Sequence, residues 1–265
     1  MKKHLPVEFI YQVFALIIAF IIVHAIYITL IRPSANTILA EQSALMNADQ
    51  NYVPERSVYV LIRDYEQETC FILLIWALAI MVYKAVGVVR EQGLLDRELI
   101  PITEGMSILP QDSREYSRPI QALPLAAQDL LLPRTLLTAL HRFGATRNIQ
   151  DVSTAVRTVC ETENERLDSE LSMVRYIAWA IPSIGFIGTV RGIGQALGQA
   201  HKAIEGDIAA VTENLGVAFN STFIALLLSM VLMFVLHQLQ MAQERLVLDT
   251  KNYCDQRLIR HLQTR

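Results

Sequence analysis

The sequence predicts an all-α membrane protein with four transmembrane helices, on three observations. Four apolar runs are each long enough to cross about 30 Å of hydrocarbon as a helix. Charged residues make up only 18% of the 265 residues, against 52% hydrophobic ones, whereas soluble domains carry about 25% charge. Lysine and arginine also alternate from side to side between the runs, as positive charge does around membrane spans. The mean hydropathy of +0.32 agrees.

The first span covers about residues 9–31, "FIYQVFALIIAFIIVHAIYITLI". Its apolar run is longer than a signal-peptide core and no small-x-small cleavage site follows it, so it is expected to stay in the protein. The second covers about 70–89, the third about 174–197 and the fourth about 215–237, "LGVAFNSTFIALLLSMVLMFVLH". Lys2 and Lys3 precede the first span, and in the external loop 32–69 acids outnumber Arg32, Arg56 and Arg63. Residues 90–173 are rich in arginine, only Lys202 stands between the last two spans against Glu205 and Asp207, and the tail after 238 is basic. Both termini are therefore expected in the cytoplasm. Four regions result: an N-terminal membrane hairpin (1–89), a large cytoplasmic helical region (90–173), a second hairpin (174–237) and a cytoplasmic C-terminal helix (238–265).

The cytoplasmic region has two characters. Pro101, Pro110, Pro119, Pro124 and Pro133 restrict residues 100–135 to short helices and turns. Beyond them Val152, Val156, Cys160, Leu167, Leu171 and Val174 recur at mostly helical spacing, with Glu161, Glu163, Glu165 and Arg166 read as off that stripe. This predicts a third span extended into the cytoplasm. Leu239, Ala242, Leu246 and Tyr253 extend the fourth span in the same way.

Several chemistries find no support. A net charge of −3 offers no nucleic-acid surface. Cys70, Cys160 and Cys254 lie far apart and form no metal-ligand spacing, so they read as core thiols. No dinucleotide fingerprint, P-loop, HExxH or GxSxG is present. The sequence implies no cofactor, no metal and no enzyme.

The informative stretch is "IPSIGFIGTVRGIG", residues 181–194, which places glycines and a proline inside an apolar run. Glycine costs a helix about 1 kcal/mol against alanine, and proline about 3. Ala178, Pro182, Gly185, Thr189, Gly192 and Ala196 fall at alternating steps of four and three, on one helix face. Ala218, Thr222, Ala225 and Ser229 do the same on the fourth span. Gly188–Gly192 and Gly194–Gly198 form small-xxx-small pairs. Such faces serve either close helix packing or a polar pathway, and on the stripes alone both stand.

"IPSIGFIGTVRGIGQAL" resembles the P-x-x-G-x-x-G-T-x-x-G stretch of the MotA/TolQ/ExbB proton-channel family. "LGVAFNSTFIALLLSMVLMF" is similar to that family's last span. The resemblance implies a ring of five subunits around two copies of a partner, a MotB/TolR/ExbD-like protein with one transmembrane helix bearing an aspartate. It implies proton passage that turns the ring, in a bacterial inner membrane. Carried over, Thr189 and Thr222 fall on the family's pore threonines, with Ser221 as a neighbouring hydroxyl. Pro182, Gly185, Gly188, Gly192, Ala218 and Ala225 form the close-packing channel face, and Ala225 stands where the family usually has glycine. Arg191 replaces a residue that is usually apolar or aromatic.

A proton path needs a titratable group in the membrane. The cores of the four spans contain no Asp or Glu, and His24 is their only mid-membrane titratable side chain. The carboxylate is therefore expected from the partner. Arg191 is expected to snorkel outward toward Glu205, Asp207 or Glu213. Because two stripes on consecutive helices leave room for a third helix, a homopentamer around the partner is expected. The alternatives are a solute channel or transporter, which would show internal repeats, and a membrane scaffold displaying the cytoplasmic region.

Overall fold

The computed structural model describes residues 7–48, 55, 57–100, 106–201 and 208–264. Its regular elements are all helical: among the described residues there is no β-strand, and one isolated bridge joins Ile108 to Leu262. Helix α1 (Val7–Ile26) passes through a π-helical turn (Tyr27–Ile31) into α2 (Arg32–Ala48). A short α3 (Val58–Leu61) leads to α4 (Tyr65–Leu95), and α5 (Ser113–Gln121), α6 (Leu125–Gln128), α7 (Leu131–Thr146) and α8 (Ile149–Glu170) follow. Helix α9 (Ser172–Gly198) and a 49-residue α10 (Ala209–Arg257) come last, before a 3-10 turn at Ile259–His261. Among the described residues, four helical stretches are long and apolar enough to cross a membrane. The charged ends of the loops used above for orientation, Lys2, Lys3, Lys202, Glu205 and Asp207, lie outside the described residues.

The chain divides into two compact units, Met1–Val82 with Met173–Leu236, and Tyr83–Ser172 with His237–Arg265. In the first, two aromatic side chains tie α1 to α4: the Tyr11 hydroxyl donates to the Ala79 carbonyl at 3.1 Å, and the Trp76 indole donates to the Gln12 carbonyl at 2.9 Å. Polar tips of buried aromatics need such partners. Val23, Tyr27, Ile31 and Ile72 form a core between the two helices, while Phe14, Phe20 and Ile21 face outward. A helix apolar on all sides is suited to lipid.

One element differs from the sequence reading. Residues 32–48, read as part of a connecting loop, continue the first helix as α2. The π turn ends two residues before Pro33, which lacks an N–H for the helical ladder. Widening the helix there absorbs the defect.

In the second unit the prolines limit helix length as expected. Pro119 lies inside the nine-residue α5, Pro124 precedes α6, and Pro133 sits in the first turn of α7, where a missing N–H costs little. Arg147, with φ of 53°, ends α7, and the Asn148 carboxamide accepts the Gln150 N–H at 2.9 Å to cap α8. Leu136, Leu140 and Phe143 of α7 pack with Val152, Val156 and Cys160 of α8 and with Cys254 and Leu258. The stripe on α8 is thus a core face, and all three cysteines are buried free thiols.

Glu163 corrects the reading of that stripe. It lies three residues after Cys160 and four before Leu167, on the stripe itself, and is only 3% exposed. Arg134 and Arg166 make this burial possible, with nitrogens at 2.6 and 2.5 Å from its oxygens. Arg166 also reaches Glu170 at 2.5 Å, and Lys84 holds Glu170 at 2.6 Å. Removing only the charge should be costly, since hydrogen bonds to charged groups contribute about 1.5–3 kcal/mol. Glu163→Gln is expected to lower the thermal midpoint of the detergent-solubilised chain by several degrees. Glu165→Gln, at an exposed position, is expected to leave it unchanged.

Candidate functional site

The antiparallel contact between α9 and α10 brings most of the singled-out residues together. A Cβ at Gly185 would collide with the Cβ of Ala225, one at Gly188 would lie 2.6 Å from the Ser221 Cβ, and one at Gly192 would lie 2.8 Å from the Ala218 Cβ. The glycines therefore let two backbones touch within one chain. This corrects the expectation that the two stripes leave space for a third helix: at these three positions the stripes fill each other. Gly194 has open space where a Cβ would go, and so does Gly198.

Pro182 gives this contact a fixed register. A proline cannot donate to the carbonyl four residues before it, which leaves the Ala178 oxygen without its helical partner. Ser229 of α10 donates to that oxygen at 3.0 Å. Its place on the fourth-span stripe was legible in the sequence, but its bond to Ala178 was not.

Thr189 and Thr222 meet. Their hydroxyls are in direct contact across the seam, either one able to donate. The Thr189 hydroxyl also approaches the carbonyls of Ala218 at 3.1 Å and Gly185 at 3.3 Å, and the Thr222 hydroxyl approaches Gly185 at 3.2 Å. The sequence suggested two separate hydroxyl sites; the structure joins them into one. Both residues are partly exposed, while Phe186, Ile187, Val190, Phe223 and Leu227 stand fully outward. Leu228, the next residue along, is buried. Ser221 faces the Gly188 side of the seam instead, 1% exposed, with no hydrogen-bond partner for its hydroxyl.

Charged side chains enter the same unit. Arg191 lies 2.7 and 2.8 Å from the two oxygens of Glu66, at the start of α4. Glu205 and Asp207, its expected partners, are outside the described residues, and Glu213 instead pairs with Arg63 at 2.8 Å. His24 is also engaged, its Nδ1 lying 2.6 Å from the Glu68 carboxylate, which Arg32 contacts as well. Sequence reasoning missed Glu66 and Glu68 because the apolar run begins at Cys70, whereas the helix begins at Tyr65. Their i, i+2 spacing after Asp64, directly before the apolar run, was the available signal.

The seam can be tested at single positions. Overpacking a tight contact costs about 1–3 kcal/mol. Gly185→Ala and Gly192→Ala are expected to destabilise the chain by that amount in thermal unfolding. Gly194→Ala, in open space, is expected to be neutral or to raise stability by up to about 1 kcal/mol through helix propensity.

Comparison with known proteins bears on this site. Residues 127–252 match the family model described as the MotA/TolQ/ExbB proton channel family. Neither the curated proteins nor the solved structures gave a match. The matched stretch runs from α6 into the second half of α10 and contains the glycine seam and both threonines. Over residues 127–252, just under half of its length, this membrane protein is similar to the MotA/TolQ/ExbB proton channel family.

Proposed function

We propose that this chain is the ring-forming channel subunit of an inner-membrane motor driven by the proton-motive force. In this reading five copies surround two copies of a single-span, MotB/TolR/ExbD-like partner. The partner contributes the aspartate that carries the proton, and ion flow becomes rotation or other mechanical work. Both termini and the unit containing α5–α8 lie in the cytoplasm. The protein performs no chemical catalysis.

The observation that carries the reading is the hydroxyl pair of Thr189 and Thr222 on the α9–α10 seam, inside the stretch shared with a proton channel family. A hydroxyl donates one hydrogen bond and accepts others. It can therefore serve a partner carboxylate in either protonation state without placing a competing charge in the membrane. Because the two hydroxyls touch, one can rotate toward the carboxylate while the other takes up the bond it leaves. The exposed apolar faces beside the pair, Phe186 and Val190 on α9 and Phe223 on α10, suit contact with lipid or with neighbouring helices.

Joined hydroxyls should behave as one unit. Thr189→Val or Thr222→Val, each close to isosteric, is expected to abolish proton-coupled work while leaving expression and assembly intact. The double valine variant is expected to be no worse than either single one. Thr→Ser should retain part of the activity at both sites. The measurement is proton flux through purified, partner-bound complexes in liposomes under an imposed gradient. Full flux in the double valine variant would reduce the threonines to packing residues and favour the scaffold or solute-channel alternatives.

A further inference from the structure

The first unit contains an uneven cluster of charge around the start of α4. Arg191 contacts both oxygens of Glu66, and its Nη2 lies 4.0 Å from the Asp64 carboxylate. Arg63 lies 3.9 Å from Asp64 and 2.8 Å from Glu213. Two arginines thus face three carboxylates. Arg63 bonds the more exposed Glu213 yet lies as near to Asp64 as Arg191 does, so Asp64 stands between two arginines while Glu66 is held by Arg191. The second Asp64 oxygen is buried without a hydrogen-bond partner. The Tyr27 phenol lies within electrostatic reach of Asp64, and the Cys70 thiol within reach of Glu66.

Ser221 supplies an independent observation. Its side chain is almost wholly buried and its hydroxyl is unpartnered. The Ser221 Oγ lies 2.8 Å, and the Glu66 Cγ 3.3 Å, from the point where a Cβ of Gly188 would stand. The glycine therefore opens a notch bordered by a free hydroxyl and by the stem of a carboxylate. A buried hydroxyl without a partner is costly, and the stem of Glu66, whose neutral carboxyl could donate to it, borders the same notch.

We propose that Asp64 and Glu66 form this chain's own proton-uptake site, which passes a proton inward by exchanging Arg191 between the two carboxylates. In the first arrangement Arg191 is paired with Glu66, as the structure has it, and the exchange assigns the proton to Asp64. In the second arrangement Arg191 pairs with ionised Asp64, and Glu66 holds the proton and donates to Ser221, next in the chain to Thr222. Protons and charges are equal in number before and after, and no bond other than the O–H changes hands. Burial pushes the Asp64 carboxyl above its ordinary value against the pull of Arg63 and Arg191, in accord with the first arrangement. Among the described residues no group of three or more histidine, cysteine or acidic side chains could hold a metal ion.

The exchange rests on the channel reading for its purpose, but infrared spectroscopy of the full-length chain in lipid nanodiscs tests it without transport. At neutral pH the wild-type chain is expected to show a protonated-carboxyl band that shifts on 13C-aspartate labelling and disappears in Asp64→Asn. Glu66→Gln is expected to remove the same band although Asp64 remains, because Arg191 then passes to Asp64 and ionises it. Absence of an aspartate band in the wild-type chain, or its persistence unchanged in Glu66→Gln, overturns the exchange. In partner-bound liposomes both variants are expected to lose at least tenfold of the proton flux, and undiminished flux overturns the uptake role. No flux from the wild-type complex would fail the channel reading itself, while the infrared bands still decide the exchange.

Discussion

The direct backbone contact between α9 and α10 is the constraint on which the rest of the first unit depends. Lipid gives apolar helices no hydrophobic reason to associate, so close packing and interhelical hydrogen bonds must hold them. Gly185, Gly188 and Gly192 supply the close packing because nothing projects from them toward Ala225, Ser221 and Ala218. The short separation then lets two threonine side chains, among the shortest that carry a hydroxyl, reach each other and the opposing carbonyls. Any bulk inserted at the glycines separates the hydroxyls as well as the backbones. Packing and chemistry at this seam are therefore one property.

Much of this was legible in the sequence, and the limits were physical. Apolar length and arginine bias locate the four spans because both are local properties. The alternating three and four spacing locates Thr189 and Thr222 on faces of small residues because helical periodicity is also local. Which face meets which is not local. The glycine stripe could have faced another subunit, and only the three-dimensional structure shows Gly188 against Ser221. The partner of Arg191 lies 125 residues away, on a helix whose first polar turn no hydropathy window includes. Glu163 was misjudged for a related reason: its position is periodic with the core, but its charge argued for solvent until Arg134 and Arg166 were seen beside it.

The chain buries carboxylates in two ways. Glu163 and Glu68 each lie between two basic side chains, Arg134 with Arg166 and His24 with Arg32. Burying a charge is tolerated when its lone pairs are met and is severe when one partner is lost, so doubled partners make these sites robust. Around Glu66 and Asp64 the acids are in excess, with two arginines shared among three carboxylates. The first pattern holds a charge in place. The second is the pattern on which the proposed exchange of Arg191 rests.

Pro182 and Ser229 set a further condition on how the molecule can move. The Ala178 carbonyl has lost its helical donor to the proline and receives one from Ser229 on the other helix. Sliding α10 along α9 by even one residue would strand that oxygen in an apolar surrounding and drive Ala225 into a backbone with no room for it. The two helices are therefore keyed together like a bolt in its slot, and shear between them is the least available motion. Whatever displacement accompanies the passage of a charge must be taken up elsewhere, with α9 and α10 travelling as a single stiff part.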